Sequence, residues 1–176
     1  MTRKMRLATR LLAAATAALG ALAAARARAT SPIDVPPGNE LALSLSARSV
    51  QVYTCLMATT GEIAWTYKAP EATLFDREGE IVATHSAGPT WESTRDHSKI
   101  VGTRIASVAS VTAGAIPQLL LSAVVQVPGP TFGKVSYVQR LNTVGGSAPA
   151  SGCDMAHQGA EVRVPYTATY TFWERD

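Results

Sequence analysis

Near the C-terminus, Tyr166, Ala168, Tyr170 and Phe172 alternate with Thr167, Thr169, Thr171 and Trp173. Successive side chains of an extended strand point to opposite faces, so this period of two predicts a strand with one aromatic face and one polar face. The pattern recurs. Ile63, Trp65 and Tyr67 alternate with Ala64, Thr66 and Lys68, and Val135, Tyr137 and Leu141 with Lys134, Ser136 and Arg140. Ser49–Cys55 and Lys99–Val111, the latter bent at Gly102, are also strand-like in composition. Leu119–Val127 is apolar at nearly every position and predicts a strand covered on both faces or central in a sheet. Leu41–Ser46 fits a short strand or a helical turn equally well.

Turn chemistry separates these runs. Pro70-Glu71 predicts a break, Asp76-Arg77-Glu78-Gly79 a hairpin turn within residues 72–85, and Gly88-Pro89 a further bend. Pro128-Gly129-Pro130 ends the apolar run, and Thr143–Gly152 reads as a loop. Only Asp154–Gln158 suggests a helical turn. The expectation is an all-β, single-domain antiparallel β-sandwich or barrel of about 8–10 short strands.

The N-terminus reads differently. Arg3, Lys4, Arg6 and Arg10 precede an Ala/Leu run over Leu11–Ala25, and Ala27-Arg28-Ala29 supplies a small-x-small site. This predicts a secretory signal peptide over residues 1–29, cleaved after Ala29, and a secreted or periplasmic protein. The run is too short and Ala-rich for a good membrane span. An arm over 30–46, with Pro32, Pro36, Pro37 and Gly38, then leads into a β-rich domain over 47–176. Removing residues 1–29 takes six of the 16 basic residues and none of the 13 acidic ones, leaving 10 against 13, a net charge of −3. The basic character of the whole chain therefore belongs to the leader. Nucleic acid is not an expected partner, since no basic run or basic–aromatic interleaving follows residue 29. No later segment predicts an integral membrane span.

Cys55 and Cys153 are the only cysteines. An even count in an exported chain favours one disulfide. The alternative is a thiolate ligand or nucleophile, for which there is no CxxC pair and no neighbouring His.

These residues resemble a family of secreted bacterial and fungal proteins, the domain of unknown function (DUF) 3455 family. The matching pieces are VQVYTC (Val50–Cys55), PEATLFDREGE (Pro70–Glu80), THSAGPTWE (Thr84–Glu92), KIVG (Lys99–Gly102) and AIPQLLL (Ala115–Leu121). They continue with VSYVQRLNTVGGSAP (Val135–Pro149), GCD (Gly152–Asp154) and VPYTATYTFW (Val164–Trp173). The resemblance implies an exported β-rich domain and no established reaction. Some fungal members carry a malate dehydrogenase label, which this chain does not support: it has no GxGxxG after a strand and no βαβ alternation. It also departs from the family's usual pattern, with Ser86 in place of an aromatic, His97 in place of Gly and Gln118 in place of Trp. His97 is therefore outside any shared site.

Chemistry-bearing side chains concentrate between Thr84 and Glu92. His85, Ser86, Trp91 and Glu92 surround the Gly88-Pro89 bend, and Arg140 joins them as a candidate clamp for a ligand carboxylate or phosphate. A His acting as base needs a carboxylate to fix its tautomer, and Glu92 lies just across the bend. No GxSxG surrounds Ser86, and His85, His97 and His157 show neither HxH nor HExxH spacing, so neither a serine nucleophile nor a metal site has motif support. The plainer alternative has His85 and Glu92 satisfying backbone groups while Trp91 fills the core. Trp65, Tyr67, Tyr166, Tyr170 and Phe172 read first as core aromatics. The expected function is a non-catalytic binding module, without cofactor, for a small molecule or cell-surface glycan. A hydrolase or metal-dependent enzyme using His85 and Glu92, and a structural envelope protein, are the alternatives.

Overall fold

A computed structural model describes residues 30–176. The expected signal peptide lies outside the described residues. Eight antiparallel strands pair in chain order and close into one barrel: β1 (Asn39–Met57), β2 (Ile63–Phe75), β3 (Ile81–Ser86), β4 (Thr90–Ser93), β5 (Lys99–Val108), β6 (Gln118–Val127), β7 (Val135–Gly145) and β8 (Glu161–Arg175). The closing ladder joins the first strand to the last, from Asn39 opposite Arg175 to Thr54 opposite Glu161. Closure removes the unpaired strand edges that an open sheet would expose. Among the described residues no helix is long and apolar enough to cross a membrane.

The alternation in β8 is realised as the sequence predicts. Tyr166, Ala168, Tyr170 and Phe172 all belong to the buried core, with Leu45 and Ala47 of β1, Leu74 of β2, Ile100 of β5 and Val138 of β7. Several strands are longer than expected, β7 running to Gly145 in the predicted loop and β8 from Glu161 to Arg175. The β1 strand begins at Asn39, so the domain boundary expected at residue 47 falls inside it. The β2 strand runs through Pro70-Glu71, where a break is predicted. Pro70 sits opposite Gln51 beside a bulge between Val52 and Tyr53, the kind of irregularity that accommodates a residue with no N–H to donate.

Bulges also change which faces point inward. In β7 the register shifts between Val135 and Tyr137, so Val138 packs into the core. The face carrying Arg140, read from sequence as the polar outer one, lies toward the interior. Gln139 points outward instead, beneath the N-terminal arm. It donates to the Ile33 carbonyl at 2.6 Å and accepts from Thr171 Oγ1 and Trp173 Nε1. The β6 strand is covered on both faces only around Leu120 and Leu121; Val124 is 60% exposed, because beyond Leu121 its outer face meets solvent.

The two ends of the barrel differ. At one end the 94–98 and 128–134 loops form a floor. The Asp96 carboxylate accepts from Ser98 N, Ser98 Oγ and Thr131 N, while Ser98 Oγ accepts from Phe132 N. These bonds seat Phe132, fully buried, against Phe172 with ring centroids 4.9 Å apart. Burial alone would raise the Asp96 pKa, but the hydrogen bonds from Ser98, Thr131 and Ser93 outweigh it and hold the carboxyl well below the usual range. Gly129 is required here because an added Cβ would lie 2.9 Å from Ser98 Cβ. In the floor loop His97 adopts φ +58°, a left-handed conformation that favours Gly over other residues.

At the opposite end a disulfide joins Cys55, near the end of β1, to Cys153 in the β7–β8 loop. Cys55 N donates to Ala160 O, and Trp65, half-buried rather than core, donates from Nε1 to Ser151 O at 2.9 Å. A 3-10 turn, Met155–His157, is capped by Asp154, which accepts from Ala156 N and His157 N. The cross-link spans 98 residues of sequence. Loop-closure entropy for a ring of that size corresponds to at most about 4.7 kcal/mol. Replacing both cysteines by Ser is expected to lower the unfolding free energy by up to that amount in urea titration, and reductant is expected to reproduce the loss in the parent protein.

Candidate functional site

Above the floor the interior is not filled. A cavity of about 350 Å³ opens toward the disulfide end. Its inner part is built on β3 and β4, joined through Ala87-Gly88-Pro89. Register across this hairpin places His85 opposite Trp91 and Thr84 opposite Glu92. His85 and Trp91 therefore share the inner face, and Glu92 faces out with Ser86.

The two inner rings stack at 4.3 Å between centroids, with 5° between their planes. Tyr170 presents its edge to both, at 5.4 Å from His85 and 5.8 Å from Trp91. Such contacts add to the burial term and fix ring orientation. Trp91 also needs Gly102 on β5. A Cβ there would lie 2.9 Å from Trp91 Cζ3 and 3.1 Å from Leu121 Cδ2. The β5 strand runs in regular register through Gly102, where the sequence predicts a bend, and its shifts fall at Lys99/Ile100 and Arg104/Ala106. The glycine serves packing, since the strand lacks a side chain where the indole lies.

His85 is 4% exposed, and its Nδ1 lies 2.9 Å from the Thr90 carbonyl oxygen. A carbonyl only accepts, so Nδ1 carries the proton and neutral His85 keeps its Nε2 lone pair. Burial lowers the His85 pKa to about 4; the Thr90 bond opposes that shift and the charge of Arg140 adds to it. Burial likewise raises the hydroxyls of Tyr170 and Tyr53, with Arg140 opposing in both cases, and that of Tyr67 to about 12. At neutral pH His85 and these tyrosines are all uncharged.

The charges of the cavity come from two arginines. Arg140 donates from Nε and Nη2 to the Pro117 carbonyl, at 3.2 and 2.9 Å, and Arg104 on β5 lines the same cavity near its mouth. Neither forms an ion pair with a carboxylate among the described residues, and no Asp or Glu lines the cavity. Two buried polar atoms on its wall lack a hydrogen-bond partner among the described residues: Gln51 Oε1 and Trp91 Nε1. Apolar surface comes from Ile116, Pro117, Leu119 and Leu121.

Of the residues singled out from sequence, His85, Trp91 and Arg140 come together at this cavity. Glu92 and Ser86 do not. Glu92 pairs outside with Lys99 at 2.9 Å and His97 at 3.5 Å, and Ser86 is exposed. Ile81, which strict alternation from His85 would place on the same face, is 50% exposed because a bulge at Leu74/Phe75 shifts the register. Tyr67, read as core, is 52% exposed at the mouth. His157 pairs with Asp154 on the loop, and among the described residues no three His, Cys, Asp or Glu side chains are grouped to hold a metal. Sequence reasoning missed Gln51, Arg104 and Tyr53. Gln51 was accessible through alternation, as a polar residue sharing a face with Tyr53 and Cys55.

Two outcomes test this geometry. Gly102→Ala is expected to cost about 1–3 kcal/mol in chemical denaturation, because Trp91 and Leu121 are too confined to yield, despite the better strand propensity of Ala. For His85 the folded pKa lies below the unfolded value near 6.5, so in the window between 6.5 and about 4 the unfolded chain binds the extra proton. Stability is therefore expected to fall as pH drops from 6.5 toward 4, by at most about 3 kcal/mol from this group. Urea midpoints measured across that window should lose this slope in His85→Gln.

No curated protein and no solved structure matches the chain. A family model described as "Protein of unknown function (DUF3455)" matches residues 36–174. That match spans the barrel from the end of the arm almost to the last residue of β8, and the chain belongs to this family.

Proposed function

We propose that this protein is a non-catalytic binding module, acting outside the cytoplasm, that holds one small molecule with an apolar body inside the barrel. The carrying observation is a roughly 350 Å³ cavity whose wall combines aliphatic and aromatic surface with two buried polar atoms lacking a protein partner. Eight-stranded barrels are just wide enough to be filled by side chains or to enclose one small ligand. Here Phe132 and its loops fill one half and leave the other open. A liquid-water share of roughly 30 Å³ per molecule sets the capacity at about a dozen non-hydrogen atoms. A ligand of that size, enclosed by the strands, is favoured over an extended glycan on an outer platform. The disulfide agrees with an exported protein.

The enzymatic alternatives gain nothing from this geometry. Among the described residues His85 has no carboxylate beside it, its Nδ1 is committed to a backbone carbonyl, and no Ser or Cys nucleophile lines the cavity. Thermal denaturation against a panel of small amphiphiles, neutral and charged, tests the reading. At least one class is expected to raise the melting temperature by several degrees. Leu119→Trp, which fills the cavity from β6, is expected to abolish that shift while the protein still unfolds cooperatively. A panel without any shift, or a shift that survives Leu119→Trp, removes the proposal.

A further inference from the structure

We infer that the ligand is an organic monoanion, a compact apolar body carrying one carboxylate that is held by Arg104 and Arg140 of the cavity wall. This rests on the cavity being a binding site and specifies what it selects. Arg140 is fixed by donating Nε and Nη2 to the Pro117 carbonyl, a neutral acceptor, so its charge is oriented but not neutralised. The Tyr170 hydroxyl is also within its reach, a second neutral partner. The N–H groups beyond these are left for a ligand, and a guanidinium matches a carboxylate in a planar fork. Arg104 adds a second positive charge, and among the described residues no carboxylate lines the cavity to cancel either. The other polar side chains of the cavity cannot take over that role, because neutral His85 and the protonated tyrosines leave the arginines as its only charges among the described residues.

The contrast with the outer wall is informative. There Arg163 is paired with Glu71, Lys68 with Glu161, and Arg95 with Asp76. Lys99 is likewise paired with Glu92, whereas Arg48, Lys134 and Arg175 form no ion pair among the described residues. Arg104 and Arg140 stand apart because both line one cavity on whose wall no described carboxylate lies. Elsewhere on the wall, Trp91 Nε1 offers a donor, Gln51 Oε1 an acceptor, and neutral His85 the Nε2 lone pair. A ligand with its carboxylate on the arginines and a donor–acceptor group such as a hydroxyl at its far end satisfies both sets of groups. Its middle lies against Leu119, Leu121 and Tyr170.

The test compares acids with their own amides in calorimetric titration of the purified protein, using 4-hydroxyphenylacetate and octanoate against 4-hydroxyphenylacetamide and octanamide. Each acid is expected to bind at least about tenfold more tightly than its amide, with the preference shrinking as salt rises. Arg140→Gln and Arg104→Gln are each expected to weaken acid binding by about tenfold and to leave amide binding unchanged. Arg104 is exposed on β5, so its variant folds even if Arg140→Gln does not. Equal affinity for acid and amide, or acid binding indifferent to both substitutions, overturns the anion inference and leaves the binding module standing. Binding of neither acid overturns the inference outright, and if the wider amphiphile panel also fails, the binding module falls with it.

Discussion

Everything in this fold depends on β8 finding β1. The two strands are the outermost in sequence, and their ladder, from Asn39–Arg175 to Thr54–Glu161, turns a meander into a cylinder. Without it both would be long exposed edges, and Tyr166, Tyr170 and Phe172 would face water instead of Leu45, Leu74 and Ile100. Pairing across the whole chain carries a high loop-closure cost. The Cys55–Cys153 link acts on that cost, since it joins β1 to the loop that leads into β8. The cross-link and the closing ladder are thus one device seen at two levels.

Within the cylinder, the aromatic row of β8 does two jobs. Phe172 meets Phe132 and completes the floor, while Tyr170 meets His85 and Trp91 and forms the inner wall of the cavity. Both follow from one alternating run, because residues two apart climb one face of a strand. The transition from packed half to open half occurs where the facing residues change from aliphatic groups to Gln51, His85 and Arg140. Gly102 serves the same boundary by leaving room for the indole.

Much of this was legible in the residues. The all-β class, the β8 faces, the 76–80 hairpin turn and the pairing of the two cysteines follow from periodicity, turn chemistry and count. What failed did so for identifiable physical reasons. Nearness in sequence suggested a His85–Glu92 dyad, but a hairpin centred on Gly88 puts His85 across from Trp91 and sends Glu92 to the other side of the wall. Counting outward from the bend would have revealed this. The inward turn of Arg140 was not readable in that way, because it depends on bulges in β7 that have no composition signal. Arg104 lies in a plain strand and acquires meaning only when closure brings β5 and β7 to one cavity.

The distribution of satisfied and unsatisfied polar groups makes the last point. In the floor, buried and half-buried polar groups are partnered: Asp96 with Ser98 and Thr131, Ser93 with Thr131, Ser98 with Phe132. The described side-chain atoms that are buried without a partner are Ser49 Oγ, Gln51 Oε1 and Trp91 Nε1, and two of them line the cavity. An orphaned buried polar atom costs roughly 1–3 kcal/mol. A chain that meets this requirement throughout one half of its interior and relaxes it in the other is not simply poorly packed. Local rules tend to be broken where function requires it. The same half holds Arg104 and Arg140 on a wall without a described carboxylate, so hydrogen bonding and charge point independently to one place. That the neutral and the charged departures coincide there is the strongest argument that the upper half of the barrel is shaped around something other than its own side chains.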